Sequence, residues 1–188
     1  MRVWTLLAIA LAVAVVACGG DDDGGDDDGG VSPAPAAPGA VVFASDAFSP
    51  GGEIPLEFSC DGDNVSPPLS WSGLPEGAQS LALTMDDLDA GGYVHWVIYD
   101  IPPGTMGLAA DVPADETLAD GSMQGLNSRG EIGYAGPCPP SGEHRYRFRL
   151  FALDAEVDLE AGATLADVEA AIADHVLVLS ELVGTFSR

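Results

Sequence analysis

The 188-residue chain has no lysine, and its six basic residues are all arginine. Thirty aspartate and glutamate residues oppose them and give a formal net charge of -24 at pH 7. Nucleic-acid binding relies on basic residues that displace the counterions of the phosphate backbone, whereas so acidic a chain repels polyanions at long range. The shortage of positive charge therefore argues against a DNA- or RNA-binding role.

Several motifs of common enzyme classes are also missing from the sequence. It contains no His-Glu-x-x-His pair for a metal, no Gly-x-Ser-x-Gly around a nucleophile and no glycine-rich loop leading into a lysine. We therefore predict a non-enzymatic protein with no catalytic residue, no metal and no cofactor. The alternative is a hydrolase in which His95, His144 and an aspartate hold a metal ion that activates water.

The longest apolar run, Leu6–Val16, has eleven residues and is too short to cross a bilayer as a helix. It follows Arg2 and precedes small residues, which is typical of a secretory signal. Residues 15–18, Val-Val-Ala-Cys, resemble the lipobox of bacterial lipoproteins. That resemblance implies lipidation of Cys18 and an extracytoplasmic protein anchored to the membrane of a bacterial cell envelope. The alternative is an ordinary secretory signal with a chance cysteine.

The next segment, Gly19–Pro38, is composed almost entirely of glycine, aspartate, proline and alanine. It offers almost no apolar surface to bury, and its aspartates repel one another, so it indicates a disordered tether. We therefore divide the chain into a signal peptide (1–17), a tether (18–39) and one folded domain (40–188).

Within the folded domain, short apolar and aromatic segments alternate with clusters of proline, glycine and aspartate. This pattern predicts a mainly β (α+β) fold. The one clear helix signal begins at Thr164, where Asp167 three residues later completes a capping box and Val168, Ala171 and Ile172 share a face. Residues 176–186 could extend that helix or form a last strand. The predicted strands lie in residues 40–48, 53–60, 79–87, 94–102 and 145–154.

Two of these strands carry a histidine near their start. Alternation places His144 and Tyr146 on an inward face with Phe148 and Leu150, opposite three arginines. The same rule places His95 on one face with Val97 and Tyr99. Asp86, Asp87 and Asp89 follow the apolar strand just upstream. Such residues are common in cores and turns, so their grouping alone does not decide whether they share a pocket.

Three blocks resemble a known family: "CDGDNVSPPLSW" (60–71), "DDLDAGGYVHWVIYDIP" (86–102) and "GLNSRGEIGYAGPCPPSGEHRYRFRLFALD" (125–154). They are similar to the signature blocks of the phosphatidylethanolamine-binding protein family, in its bacterial, Raf-kinase-inhibitor-like branch. The resemblance runs from about Phe43 to the end of the chain. It implies antiparallel Greek-key β-sheets with short peripheral helices, and one small pocket that binds phosphate, acetate or a phospholipid headgroup. Eukaryotic relatives inhibit kinases, so a protein-interaction or inhibitor module with an unknown partner is the alternative function.

Carried over to this sequence, the resemblance places the ligand among six residues. Gly136 and Pro137 would begin a rigid rim whose small residues let a ligand approach the backbone. The family's Asp-Pro-Asp-Ala-Pro has become Asp-Leu-Asp-Ala-Gly here, and the loss of both prolines implies a looser loop after its first aspartate. The predicted ligand-binding residues are Asp87, His95, Gly136, Pro137, His144 and Tyr146.

Two further expectations concern charge and oxidation. Because carboxylates lie close to the histidines, we expect protonated imidazoles to be favoured and anion affinity to rise as the pH falls. If Cys18 is acylated, Cys60 and Cys138 remain as an even pair in an exported protein, so we predict a disulfide between them. The alternative is two buried free thiols.

Overall fold

A computed structural model describes residues 41–188, so the predicted signal peptide, the tether and Cys18 lie outside the described residues. Within the described range the chain is mainly β and has one α-helix near its carboxy end, which confirms the predicted fold class. None of the helices in residues 41–188 is long and apolar enough to cross a membrane. The elements are β1 (Val42–Ala44), β2 (Leu69–Ser72), β3 (Ser80–Asp87), β4 (Tyr93–Ile101), β5 (Gly107–Leu108), β6 (Met123–Gln124), β7 (Glu143–Leu153), α1 (Leu165–Ile172) and β8 (Val176–Ser187).

The strands form two antiparallel sheets. One contains β1, β2 and β5 in the order β1-β2-β5, and the other has the order β6-β4-β3-β7-β8. Every residue of the central strand β3 is buried, as expected for a strand covered on both faces. One core lies between the sheets and includes Phe43 and Trp71 from the smaller sheet and Leu83, Trp96 and Phe148 from the larger one.

The second face of the larger sheet packs against α1. Val168 and Ile172 of the helix are buried there with Val97, Tyr99 and Phe151, whereas Ala171 is exposed. The helix begins at the predicted capping box, because the Thr164 hydroxyl accepts from the Asp167 amide while the Asp167 carboxylate accepts from the Thr164 amide. Residues 176–187 form β8 and do not continue the helix.

A β-bulge changes the direction of one candidate residue. Met85 pairs with Trp96, but the next residue of β3, Asp86, pairs with Val94, so His95 is an extra residue in its strand. A bulge re-aims the side chain that it carries. The His95 ring therefore packs edge-on against Tyr146, with ring centroids 5.2 Å apart. The predicted face shared with Val97 and Tyr99 is wrong for this reason.

The segment predicted as a strand at residues 53–60 is instead a turn. Leu56–Phe58 form a short 3-10 helix after Pro55, and the Ser59 hydroxyl donates back to the Leu56 carbonyl at 2.8 Å. Only Glu53 makes a bridge, with Thr185 of β8. Proline has no amide hydrogen to give to a sheet, which explains why the apolar residues here do not extend one.

Candidate functional site

A cavity of about 300 Å³ lies where β3 ends and where β4 and β7 begin. Antiparallel pairing sets Asp87, the last residue of β3, opposite both Tyr93 and Tyr146. Three strands therefore contribute side chains to one end of the sheet. The cavity is lined by Asp87, Ala90, Tyr93, His95, Arg129, Cys138, Pro140 and His144.

Asp87 and His144 form a hydrogen-bonded pair at the cavity. The Nδ1 atom of His144 lies 2.8 Å from Oδ2 of Asp87, and the Asp87 side chain is nearly inaccessible to solvent. The other carboxylate oxygen, Oδ1, accepts from the backbone amide of Asp89 at 2.8 Å. Two hydrogen bonds thus fix Asp87 although the loop lacks the family's prolines. Gly91 and Gly92, both at positive φ, make the reversal into β4 in their place.

His95 is held by the strand segment that faces it. Its Nδ1 atom lies 2.6 Å from the carbonyl oxygen of Ala135, whose amide in turn donates to the His95 carbonyl at 2.9 Å. Burial lowers the pKa of His95, and this effect exceeds the opposing effects of the Ala135 hydrogen bond and the Asp87 charge. The expectation that nearby carboxylates favour a protonated imidazole is therefore wrong for His95, because desolvation outweighs them.

Tyr146 lies directly behind the two histidines. Its ring packs edge-on against His95 and parallel to His144, and the residue is fully buried. Its hydroxyl has no hydrogen-bond partner of normal geometry among the described residues. Burial, followed by the negative charge of Asp87, raises the pKa of Tyr146. Tyr146 itself is not among the residues that line the cavity.

Gly136 and Pro137 lie behind the rim and do not line the cavity. The Gly136 amide donates to Oδ1 of Asn64 at 2.9 Å, and a Cβ atom at Gly136 would lie 2.5 Å from the Phe58 carbonyl oxygen. The carbonyl of Pro137 accepts from the amide of Cys60 at 3.1 Å. Close approach of the neighbouring turn therefore requires a glycine at position 136.

A disulfide joins the rim to that turn. Cys60 and Cys138 are bonded, with an S–S distance of 2.04 Å and Cα atoms 5.4 Å apart. The structure thus contains the bond that counting the cysteines predicts. Because Cys138 also lines the cavity, this crosslink fixes part of the cavity wall to the 3-10 turn.

Arg129 lines the cavity but is not among the predicted ligand-binding residues. Among the five arginines in residues 41–188, the other four each contact a carboxylate within 4 Å, whereas Arg129 has no such partner. The Arg129 amide donates to Oδ1 of Asn127 at 2.9 Å, and Ser128 makes hydrogen bonds to Val94 that dock this loop on β4. One signal was available in the sequence, since Arg129 is the single basic residue between Arg2 and Arg145.

The described residues offer little to a metal ion. Residues 41–188 contain no group of three or more histidine, cysteine or acidic side chains placed to hold one. Asp87 instead accepts a hydrogen bond from one of the two candidate histidine ligands.

Comparison with known proteins gives a consistent result. A family described as "Phosphatidylethanolamine-binding protein" matches residues 44–187. A UPF0098 protein of Methanothermobacter thermautotrophicus is 54% identical over 144 residues, which cover 76% of this chain and 95% of that protein. A Mycobacterium tuberculosis protein named "Putative lipoprotein LppC" is 44% identical over 95% of this chain and 92% of its own length.

Two solved structures share the fold. A Chlamydia trachomatis protein, described as a phosphatidylethanolamine-binding protein homologue, matches with a TM-score of 0.73 and 38% identity over 80% of this chain and 99% of its own. Escherichia coli YbcL, described as a member of the mammalian PEBP family, matches with a TM-score of 0.74 and 30% identity. That match covers 79% of this chain and 98% of YbcL.

Proposed function

The chain belongs to the phosphatidylethanolamine-binding protein family, and from this membership we propose that it is a cell-envelope binding protein whose cavity takes a small oxyanion. The ligand class comprises phosphate and phosphorylated headgroups. The proposal includes no catalytic step, and the protein acts by binding.

The observation that carries the proposal is the position of Arg129. In a chain of such negative charge, one arginine without a carboxylate partner borders a cavity that two histidines also line. Guanidinium groups are suited to oxyanions because they offer several N–H donors in a planar arrangement. Charges beyond about 8 to 10 Å are screened at physiological salt, so these local donors outweigh the distant aspartates.

Protonation of the histidines adds donors to the same cavity. Each ring uses Nδ1 in a hydrogen bond within the protein, so a protonated ring would present its Nε2–H to a ligand. Anion affinity therefore rises as the pH falls through the histidine range. For His95 this gain begins only below the ordinary histidine range, because burial lowers its pKa.

Membrane attachment is the second part of the proposal. Cys18 follows a lipobox-like sequence, and a relative that covers nearly the whole chain carries a lipoprotein name. Lipidation of Cys18 would hold the domain at a membrane through the acidic tether, with the cavity facing the extracytoplasmic space.

Titration calorimetry of phosphate against the full-length protein in detergent tests the binding proposal. We expect Arg129→Gln to weaken phosphate binding about tenfold or more, because a charge-assisted hydrogen bond is lost. Arg145→Gln is the matched control, since Arg145 is exposed, pairs with Asp89 and does not line the cavity. Equal losses of phosphate affinity in the two variants, or no phosphate binding by the wild type, would refute the proposal.

A further inference from the structure

The free ring atom of His95 is an acceptor when the ring is neutral. Its Nδ1 atom lies 2.6 Å from the Ala135 carbonyl oxygen, which has no proton to give. Nδ1 must therefore carry the hydrogen, and Nε2 of the neutral ring keeps its lone pair. Nε2 has no hydrogen-bond partner among the described residues, so a ligand in the cavity would meet an acceptor there.

His144 has the same orientation for a different reason. Its Nδ1 atom donates to Oδ2 of Asp87, and the second oxygen of that carboxylate accepts from the Asp89 amide. Nε2 of His144 likewise makes no hydrogen bond within residues 41–188. Both rings therefore leave Nε2 free of hydrogen bonds within residues 41–188, and both histidines line the same cavity.

The surroundings of His95 keep it neutral near pH 7. The carboxylates of Asp87 and Asp86 favour its charged form, whereas Arg129 opposes it. The rings of Tyr93 and Tyr146 pack against the imidazole and add no charge. Burial exceeds the effect of both carboxylates and lowers the pKa of His95, so the acceptor form prevails at neutral pH.

We propose that the cavity selects an oxyanion that brings its own proton, namely phosphate or a phosphate monoester carrying a P–OH group, over sulfate and over phosphate diesters. This inference rests on the proposed function and narrows its ligand class. The P–OH group donates to an imidazole Nε2, and the charged oxygens face Arg129. A tetrahedral anion without a proton would place its oxygen lone pairs next to the lone pairs of the ring nitrogens. Neither acceptor would then have a hydrogen-bond donor.

The preference depends on pH in a defined direction. Inorganic phosphate keeps a P–OH group at neutral pH, whereas sulfate has none. When the imidazoles become protonated, each Nε2 turns into a donor and the cavity accepts sulfate as well. The ratio of phosphate affinity to sulfate affinity therefore decreases as the pH falls.

Calorimetric titration of the full-length protein with phosphate and with sulfate tests this directly. The two ions are similar in shape, so we expect phosphate to bind at least about tenfold more tightly at about pH 7.5, with a ratio that falls once the pH is low enough to protonate the rings. A second pair of ligands tests whether the cavity prefers a free phosphate monoester over the diester of an intact lipid headgroup. Near pH 6 the phosphate of a monoester is about half singly protonated. Phosphoethanolamine should then bind more tightly than the diester glycerophosphoethanolamine.

Arg129→Gln supplies the control. Removing this cation should lower the affinities for phosphate and for sulfate by similar factors. The ratio of the two affinities should stay unchanged, because the histidines set that ratio. Loss of the ratio in Arg129→Gln would assign selectivity to the arginine and overturn the inference. Sulfate that binds as tightly as phosphate at about pH 7.5, or a diester that matches the monoester, would also overturn it and leave the proposed function standing. Failure of all four ligands to bind would refute both.

Discussion

At the scale of single residues, the buried hydroxyl of Tyr146 has a consequence for stability. Its hydroxyl is buried beside Asp87 with no partner of normal geometry among the described residues. A buried donor without a partner opposes folding, whereas a bonded one contributes a modest net gain. Tyr99 is buried to the same extent, but its hydroxyl donates to the Glu160 carbonyl at 2.5 Å.

We predict opposite effects from the same substitution at these two tyrosines. Tyr146→Phe should leave the free energy of unfolding unchanged or raise it by up to about 1 kcal/mol, because an unsatisfied group is removed. Tyr99→Phe should lower it by about 1 kcal/mol, because a made hydrogen bond is lost. Urea unfolding monitored by tryptophan fluorescence measures both. Equal destabilisation would show that the Tyr146 hydroxyl has a partner in the folded protein.

At the scale of elements, the rim of the cavity depends on how closely it approaches the 3-10 turn. A Cβ atom at Gly136 would fall within 3 Å of three atoms of that turn region, two of them in the backbone. The Cys60–Cys138 bond and the hydrogen bond from the Gly136 amide to Asn64 join the same two segments. The turn therefore supports the wall that carries Cys138, although it does not line the cavity.

Gly136→Ala tests this packing. We expect it to lower the free energy of unfolding by about 1 to 3 kcal/mol, because backbone atoms must move to admit the methyl group. Gly104→Ala is the matched control, since Gly104 has no atom within 4 Å of the added Cβ and no positive φ, and its effect should stay within about 0.5 kcal/mol. A neutral effect at Gly136 in thermal or urea unfolding would contradict the close approach.

Element geometry also explains how much of the site the sequence could predict. Strand alternation correctly placed His144 beside Tyr146, because β7 pairs with both neighbours without a bulge at that end. It failed for His95, since one inserted residue in β4 redirects the ring and nothing in the local pattern marks the insertion. Arg129 could not be predicted in this way, because it lies in a loop whose sequence has no periodic pattern.

At the scale of the whole molecule, the proposal joins a strongly acidic chain to a membrane through Cys18. The whole chain's net charge of -24 opposes contact with an anionic surface, so the proposed attachment would rely on the lipid and not on the folded part. The proposed arrangement would suit a binding protein that captures small anions outside the cytoplasm.

Membrane fractionation in a bacterial host tests the anchor. The wild-type chain should sediment with membranes, whereas Cys18→Ser should move to the soluble extracytoplasmic fraction or remain as uncleaved precursor, because no acyl chain can be attached. Cys60→Ser together with Cys138→Ser is the control, since it removes two cysteines without touching the lipobox. A Cys18→Ser protein that is processed normally and remains on the membrane would contradict lipid anchoring.

The central claim is that one cavity, bordered by His95, His144 and Arg129, holds an oxyanion. A crystal structure of the protein soaked in phosphate measures this most directly. We predict a phosphate within hydrogen-bond distance of an imidazole Nε2 and of the Arg129 guanidinium. A cavity that contains only water at a phosphate concentration that saturates binding in solution would contradict the account.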